Sequence, residues 1–255
     1  MTAPLCESGL SGLADLPSLT LEELNASASL LTRVDRKYVL TRDQADGFLA
    51  ALPAGTRVLD IDSGRSFGYA STYFDTARLD SFHDAAHRRA RRGKTRTRTY
   101  LDSGITFLEV KTKRRAATVK SRLPWSGTEA DAAASAFVAE KLAEGGVRPS
   151  GRLSPVLDVT YRRTTLLLPD AEGRVTLDVD LDWRLRRGAD RLRVDDLVIV
   201  ETKSSSRPCA ADRLLWRTGH RPTSISKYAT ALAALRPDLA RNRWHRLLST
   251  GPLAA

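Results

Sequence analysis

Alternation of apolar and polar side chains with a period of two recurs in at least five segments of this 255-residue chain, and it constrains the fold more than any other feature. The clearest case is RVTLDVDLD at residues 174–182, where the odd-numbered positions are apolar and the even-numbered positions are polar. Successive side chains of a β-strand point to opposite faces, so such a strand has one apolar and one charged face. Turn-like residues separate the segments, and the pattern therefore predicts a large antiparallel sheet or barrel.

Short helices are predicted around these strands, which makes the expected fold class α+β. Thr20–Glu23 and Thr41–Gln44 both have the form of a capping box, in which a threonine and a glutamate or glutamine satisfy backbone N–H groups reciprocally. An alanine-rich run predicts a third helix over Glu129–Glu144, ended by Gly145. A fourth helix is predicted over Ser226–Leu235.

Length and composition favour one domain. The hydrophobic fraction of 42% is ordinary, and we expect a single domain over residues 19–240, with a flexible tail at residues 1–18 and another at residues 241–255. No apolar run approaches the roughly 18 residues that span a bilayer, and the N-terminus does not resemble a signal peptide. We therefore expect a cytoplasmic protein. Cys6 and Cys209 are too few for a disulfide framework or a zinc site.

Basic residues exceed acidic ones, and lysine is placed unevenly. The net charge of +11 attracts anions, and leaves nucleic acid, acidic membranes, nucleotides and polyanions open as partners. Only eight of the 41 basic residues are lysine, and seven of these lie in short strand-like or strand-end and helix-end segments. Lysine is a compact charge on a flexible stem, which suits contact with phosphate oxygens. The placement indicates a phosphate-binding cavity.

Rows of basic side chains mark the polar faces of several predicted strands. These faces carry Lys94, Arg96, Arg98 and Tyr100 in KTRTRTYL, Glu109, Lys111 and Lys113 in FLEVKTK, and Glu201 and Lys203 in VETKS. A solvated outer face of a half-buried sheet is the commonest cause of such alternation and stays an alternative. Two like charges about 4 Å apart repel by about 1 kcal/mol in water and about 4 kcal/mol at an effective dielectric of 20. Rows that converge inside a barrel would therefore require a compensating anion.

Eight short motifs in order carry a resemblance to a known family. They are RVDRKYVL, STYFDT, KTRTRTY, FLEVKTK, VTYRR, RVTLD, VIVETKS and SISKY, and they extend from near Leu31 to near Leu235. The chain resembles the VTC domain, the polyphosphate polymerase branch of the CYTH-like triphosphate tunnel metalloenzymes. The resemblance implies an antiparallel β-barrel, or tunnel, with flanking helices and basic side chains on its inner surface.

The resemblance also implies roles for particular residues. The phosphate-contacting, catalytic positions are Lys37, Arg96, Arg98, Lys111, Arg163, Lys203 and Lys227. Further substrate-binding positions, held more loosely, are Lys94, Tyr100, Lys113, Lys120, Arg122 and Arg174. Glu201 matches the metal-binding glutamate, helped by Glu109 or Asp178. Arg162 and Arg163 are adjacent, so only one of them points inward on a regular strand, and Arg163 is preferred.

The implied activity is a metal-dependent polyphosphate polymerase that uses ATP, inorganic polyphosphate and Mn²⁺ or Mg²⁺. A metal-dependent inorganic tri- or polyphosphatase and a non-catalytic polyphosphate-binding module are alternatives. The membrane helices of the eukaryotic form have no counterpart in this sequence, which implies either a wholly soluble enzyme or one that works with a separate membrane partner. No specific nucleic-acid binding is expected, because the Arg88–Arg92 run has no aromatic residues for base stacking. His83 and His87 have helical zinc-site spacing but no further soft ligand nearby.

Overall fold

The computed structural model describes residues 9–27, 34–114, 117–126, 132–251 and 253. The chain divides into two compact units that interleave along the sequence. The first unit contains the residues up to Phe67, Tyr161–Leu181 and Val194–Ile225; the second contains Gly68–Thr160, Asp182–Arg193 and the residues from Ser226 onward.

The first unit is built on antiparallel strands. Its complete elements are β1 (Ser18–Leu19), α1 (Leu21–Ala26), β2 (Val34–Leu40), α2 (Arg42–Ala50), β3 (Arg57–Leu59), β11 (Val198–Ser204) and α5 (Ala210–Arg217). Strand β11 pairs antiparallel with β2 on one side and with β9 (Gly173–Leu185) on the other. Strand β3 pairs antiparallel with β8 (Ser154–Leu167) and parallel with β1. Residues of β8 and β9 are divided between the two units.

The second unit contains an antiparallel meander. Strands β4 (Phe67–Asp75), β5 (Arg91–Tyr100), β6 (Thr106–Arg114) and β7 (Ala117–Pro124) pair in chain order. The other elements are α3 (Asp80–Ala86), α4 (Ala132–Glu144), β10 (Arg191–Val194), α6 (Ala229–Leu235) and α7 (His245–Ser249). The predicted α+β class with antiparallel strands and flanking helices is confirmed.

Strand alternation separates a buried face from a polar face in the first unit. Tyr38 of β2, Leu177 of β9 and Val200 of β11 are neighbours in register and are fully buried in one hydrophobic cluster. Full burial of such a side chain stabilises the fold by about 1.5–3 kcal/mol. The intervening residues, among them Lys37 and Glu201, lie on the opposite face of the sheet. Burial of the apolar face in the core therefore places the rows of charged side chains on the opposite face of the sheet.

Both predicted capping boxes are present. The Thr20 hydroxyl accepts from the Glu23 N–H (3.2 Å) and Glu23 accepts from the Thr20 N–H (2.8 Å). The same reciprocal pair joins Thr41 and Gln44. Each cap satisfies N–H groups that have no partner within the helix.

Other predicted elements differ in extent. Helix α4 is described from Ala132, and the predicted start at Glu129 lies outside the described residues, as do residues 1–8 of the predicted N-terminal tail. Helix α6 begins at Ala229 rather than Ser226. The segment expected to be a C-terminal tail contains a 3-10 turn and α7, with Trp244 buried against Phe82. No helix among the described residues is long and apolar enough to cross a membrane.

Candidate phosphate-binding site

Register brings basic and acidic residues together on the polar face of the first unit. Lys37 lies directly opposite Glu201, and Lys203 lies opposite Arg174 on one side and Asp35 on the other. Together with Arg163 and Asp178 these residues form what we call the Glu201 cluster, defined as Lys37, Arg163, Arg174, Asp178, Glu201 and Lys203. All six are positions named by the sequence.

Lys203 and Glu201 form a nearly buried ion pair. The Lys203 Nζ lies 3.2 Å from Glu201 Oε2, and the two side chains are 15% and 14% exposed. Burial lowers the pKa of Lys203, and the charge of Arg163 lowers it further, while Glu201 opposes the shift. Desolvation of an ammonium group disfavours its charged form. An anionic ligand beside Lys203 would offset this penalty.

Arg163 makes a two-pronged contact with a buried carboxylate. Its Nε and Nη2 donate to the two oxygens of Asp178 at 2.5 and 2.8 Å, and Asp178 is fully buried. Burial would lower the pKa of Arg163, but the charges of Asp178 and Glu201 raise it well above its usual value. Arg162 instead donates to the Ser66 carbonyl oxygen. Arg163, the preferred member of this adjacent pair, is therefore the one beside Asp178 and Glu201.

Two other cations of this cluster contact backbone carbonyls. Arg174 Nη2 donates to the Leu24 oxygen at 2.8 Å, at the end of α1. Lys37 Nζ lies 3.4 Å from the Ile225 oxygen, a long contact that holds the lysine weakly. Lys37 could therefore replace this weak contact with a stronger one to an anion.

The second unit holds a larger set of cations around one carboxylate. We call it the Glu109 cluster and define it as Lys94, Arg96, Arg98, Glu109, Lys111, Lys120 and Arg122. Register pairs Glu109 with Arg96 on β5 and with Arg122 on β7. It also aligns three lysines across β5, β6 and β7, namely Lys94, Lys111 and Lys120.

Glu109 is desolvated and surrounded by positive charge. Arg96 donates to Glu109 Oε2 from Nε at 2.8 Å and from Nη2 at 2.6 Å, and Lys120 forms an ion pair with Oε1. Burial alone would raise the pKa of Glu109, but Arg96, Arg98 and Lys120 lower it to about 2. The same burial lowers the pKa of Lys120 to about 8, against the attraction of Glu109. Glu109, at 3% exposure, is too buried for an ordinary solvated face, although the Lys120 side chain is 40% exposed.

Aromatic rings line the strands that carry the Glu109 cluster. The Tyr73 ring lies under Lys94 Nζ and under the Arg96 guanidinium, each 5.7 Å from its centroid. Tyr100 lies between the rings of Tyr69 and Phe107, at 5.0 and 6.0 Å. Those two rings in turn face Arg98 and Arg122. Rings under a guanidinium or ammonium group stabilise it by cation–π attraction and limit its movement.

Two remaining positions, Lys113 and Lys227, lie at the edges of this arrangement. Lys113 is opposite Arg92 on β5 and Thr118 on β7, one pleat beyond Lys111. Lys227 precedes α6, and its carbonyl oxygen accepts the Trp183 indole N–H at 2.8 Å. Lys94 Nζ lies 3.3 Å from the Ser226 hydroxyl, one residue before Lys227.

Comparison with known proteins is consistent with this geometry. A model of the VTC domain matches residues 32–236. The chain belongs to the VTC domain family. No curated protein sequence matches it significantly.

Solved structures also resemble this VTC domain. A Bacillus halodurans protein named as a "putative adenylate cyclase" has a TM-score of 0.50 at 14% identity, covering 76% of this chain and 94% of that one. The PH1819 protein of Pyrococcus horikoshii has a TM-score of 0.41 at 11% identity, covering 78% and 98%. At 14% identity, the likeness to the Bacillus halodurans structure shows a shared fold and nothing about activity. The fold expected from the resemblance is confirmed.

The carboxylates of this VTC domain limit where a divalent cation can bind. Among the described ranges no three histidine, cysteine, aspartate or glutamate residues come together as a metal-binding group. Arg163 occupies both oxygens of Asp178, and Arg96 and Lys120 occupy those of Glu109. Mg²⁺ is commonly held by one or two carboxylates together with phosphate oxygens of the substrate. Glu201 fits that mode, with most ligands supplied by phosphate.

Sequence reasoning missed the role of Tyr73 and Ser226. Both contact cations of the Glu109 cluster, and both lie inside motifs that were noticed for other residues, STYFDT and SISKY. The tyrosine in STYFDT could have been predicted to contact a cation, because an aromatic ring attracts a lysine or arginine side chain although the ring carries no charge.

Proposed function

We propose that this VTC domain is a metal-dependent polyphosphate polymerase that transfers the terminal phosphate of ATP to a growing polyphosphate chain. Membership of the VTC family supports a function related to polyphosphate or triphosphate. The reaction class, the nucleotide and the metal are the part that we propose.

The Glu109 cluster is the observation that carries the proposal. Six cations share one polar face with a single carboxylate, and that carboxylate is 3% exposed. Lys120, whose side chain is 40% exposed, forms an ion pair with that carboxylate. Six closely spaced cations around one buried carboxylate favour a polyanionic ligand. A chain of phosphates supplies several closely spaced negative charges.

Phosphoryl transfer mainly requires alignment and charge neutralisation. A terminal oxygen of the polyphosphate chain attacks the γ-phosphorus of ATP, forming a new P–O bond. The bond from the γ-phosphorus to the β–γ bridging oxygen breaks, its electron pair stays on that oxygen, and ADP leaves. Within a cluster, lysine and arginine side chains hold phosphate oxygens through charge-assisted hydrogen bonds and orient them. This reaction requires no nucleophile from the protein.

Glu201 and phosphate oxygens would together hold Mn²⁺ or Mg²⁺. The cation would supply further neutralisation of negative charge on the transferring group. Lys203, paired with Glu201 at 3.2 Å, orients the carboxylate.

Product analysis tests the proposal. The purified protein is incubated with ATP and Mn²⁺, with and without a short polyphosphate primer, and the products are resolved on a gel. A ladder of lengthening chains is expected. Orthophosphate alone would establish a hydrolase instead, and tight polyphosphate binding without turnover would establish a binding module.

The Glu201→Gln variant tests the metal assignment in the same assay. Turnover should fall at least about 100-fold, since a catalytic divalent cation contributes several kcal/mol. Glu144→Gln is the matched control, because Glu144 is exposed on α4, where it forms an ion pair with Lys141. Equal rates in both variants would overturn the role of Glu201.

A further inference from the structure

Two lysines named as phosphate ligands are each followed by a buried tyrosine. Lys37-Tyr38 lies in β2, and Lys227-Tyr228 lies just before α6. The Tyr38 hydroxyl donates to Asp212 Oδ1 at 2.7 Å, and the Tyr228 hydroxyl donates to Asp75 Oδ2 at 2.5 Å. Both aspartates are fully buried. Each unit thus contains one lysine followed by a tyrosine that donates to a buried aspartate.

We propose that Asp212 and Asp75 are positioning residues, which hold Lys37 and Lys227 at their phosphate contacts through Tyr38 and Tyr228. The inference rests on the proposed function in one respect, since it requires that Lys37 and Lys227 bind phosphate. Neither aspartate touches the substrate in this arrangement.

Asp212 connects helix α5 with two strands of the Glu201 cluster. Besides the Tyr38 hydroxyl, it accepts from the Thr202 hydroxyl at 2.6 Å and from Arg36 Nη1 at 3.1 Å. Arg36 and Thr202 are partners in register, one residue away from the Lys37 and Glu201 pair. Neighbouring residues on a strand point to opposite faces. A carboxylate bound behind the sheet therefore sets the position of the cations in front of it.

Asp75 performs the corresponding function at the start of helix α3. It accepts the backbone N–H groups of Thr76, Ser81 and Phe82 at 2.8 to 3.0 Å, in addition to the Tyr228 hydroxyl. The Tyr228 ring also stacks on Tyr73 at 5.3 Å. Asp75 is therefore rigid, and it fixes the tyrosine that follows Lys227.

The carbonyl oxygen of each lysine is held as well. Lys37 O accepts the Thr223 N–H at 2.7 Å, and Lys227 O accepts the Trp183 indole N–H at 2.8 Å. The backbone of each lysine is thus held both at its own carbonyl and through the next side chain. Burial raises the pKa of Tyr38 and of Tyr228, with the adjacent aspartate adding to each shift, so both hydroxyls stay protonated as donors.

Stability alone does not account for this arrangement. A buried charged group costs free energy to desolvate, and apolar replacements of similar volume are often as stable. A hydrogen bond to a rigid acceptor fixes the orientation of the donating tyrosine side chain, which an apolar contact does not do. The lysine side chain is flexible, and ordering it on phosphate binding costs conformational entropy. A backbone that is already fixed lowers this cost.

The test is a set of double-mutant cycles measured by calorimetric titration with inorganic tripolyphosphate. Tyr38→Phe and Tyr228→Phe keep the ring and remove the hydroxyl. Each should weaken binding at least about threefold, the lower range of coupling between contacting residues. In a Lys37→Gln background Tyr38→Phe should have no further effect on affinity, but in a Lys227→Gln background it should keep its full effect. The reciprocal result is expected for Tyr228→Phe.

Controls separate positioning from general loss of stability. Thr56→Val removes another buried hydroxyl contact of the first unit, from Thr56 to the Pro53 carbonyl at 2.7 Å, and should lower the melting temperature without changing affinity. Asp212→Asn keeps the size of the side chain and should weaken binding less in a Lys37→Gln background than where Lys37 is present.

Three results would overturn the inference. Wild-type affinity in both tyrosine variants would show that the hydroxyls do not position the lysines. Equal weakening by Tyr38→Phe with and without Lys37 would show an effect on the fold alone. If the wild type itself does not bind tripolyphosphate, the proposed function fails first and these lysines have no phosphate to meet.

Discussion

Glu109 is enclosed by cations of β5 and β7, and its ionisation depends on them. Its pKa is about 2, against an ordinary 4.5. A lowered carboxylate pKa contributes stability that is present above the ordinary value and is lost as the pH falls through the folded value. The contribution should therefore disappear between pH 4.5 and about 2.

Replacement of Glu109 by glutamine should reduce stability and flatten this acid response. Removal of one partner of a buried ion pair costs about 3–5 kcal/mol, because the remaining charges are left uncompensated. Urea unfolding near neutral pH should show a decrease of that order in the free energy of unfolding. Repeated below pH 4.5, the variant should lose stability less steeply than the wild type. Glu144→Gln, at an exposed site, should follow the wild-type profile.

Lys120 should take up a proton when phosphate binds. Burial lowers its pKa to about 8, so part of the protein carries a neutral lysine slightly above that pH. Phosphate beside the amine favours its charged form and raises the pKa again. Calorimetric titration with tripolyphosphate in two buffers of different ionisation enthalpy should detect net proton uptake. Arginine stays protonated throughout, so Lys120→Arg should reduce the uptake; equal uptake in both proteins would contradict the assignment.

At the scale of elements, two adjacent glycines follow α4, and they are required for different reasons. Gly146 has a φ of +68°, the left-handed conformation that favours glycine, as expected after a helix. Gly145 is needed for a different reason. A Cβ there would lie 2.5 Å from Thr112 Cβ on β6. The approach of α4 to the strand that carries Glu109 and Lys111 thus depends on this glycine.

Gly145→Ala should destabilise the protein by about 1–3 kcal/mol, the usual effect of overpacking. Gly47→Ala is the matched comparison, because Gly47 lies inside α2 with no atom within 4 Å of the added Cβ. It should stabilise by up to about 1 kcal/mol through helix propensity. Chemical denaturation of both variants measures the difference. Similar stabilities would show that Thr112 moves aside without cost.

At the scale of the whole molecule, the net charge of +11 should make stability depend on anions. Tripolyphosphate at 100 times its Kd should add about 2.7 kcal/mol of apparent stability. Added sodium chloride should reduce the gain, because salt screens the attraction. Thermal unfolding with and without tripolyphosphate at two salt concentrations measures the effect. No rise in melting temperature at low salt would contradict phosphate binding by either cluster.

Sequence patterns predicted some elements and missed others for identifiable reasons. The capping boxes at Thr20 and Thr41 are local, and both were found where the sequence indicated. Helix α5 was missed, although Asp212 joins it to the strands of the Glu201 cluster. It begins after Cys209 rather than after a residue typical of helix starts. Short helices of this kind are stabilised mainly by tertiary packing.

The sequence by itself determined which side chains share a strand face, because alternation is a local property of the extended backbone. The residues of the Glu201 and Glu109 clusters were predicted in part from this alternation and in part from the resemblance to the VTC domain. Only the tertiary structure decided which charges meet: that Arg163 binds Asp178, that Arg96 and Lys120 bind Glu109, and that Lys203 pairs with Glu201. The contacts of Arg163 with Asp178, and of Arg96 and Lys120 with Glu109, each join consecutive strands and depend on the register between them, whereas Lys203 and Glu201 lie on one strand. Register is set by packing of the buried face and by turn geometry, which the charges on the polar face do not specify.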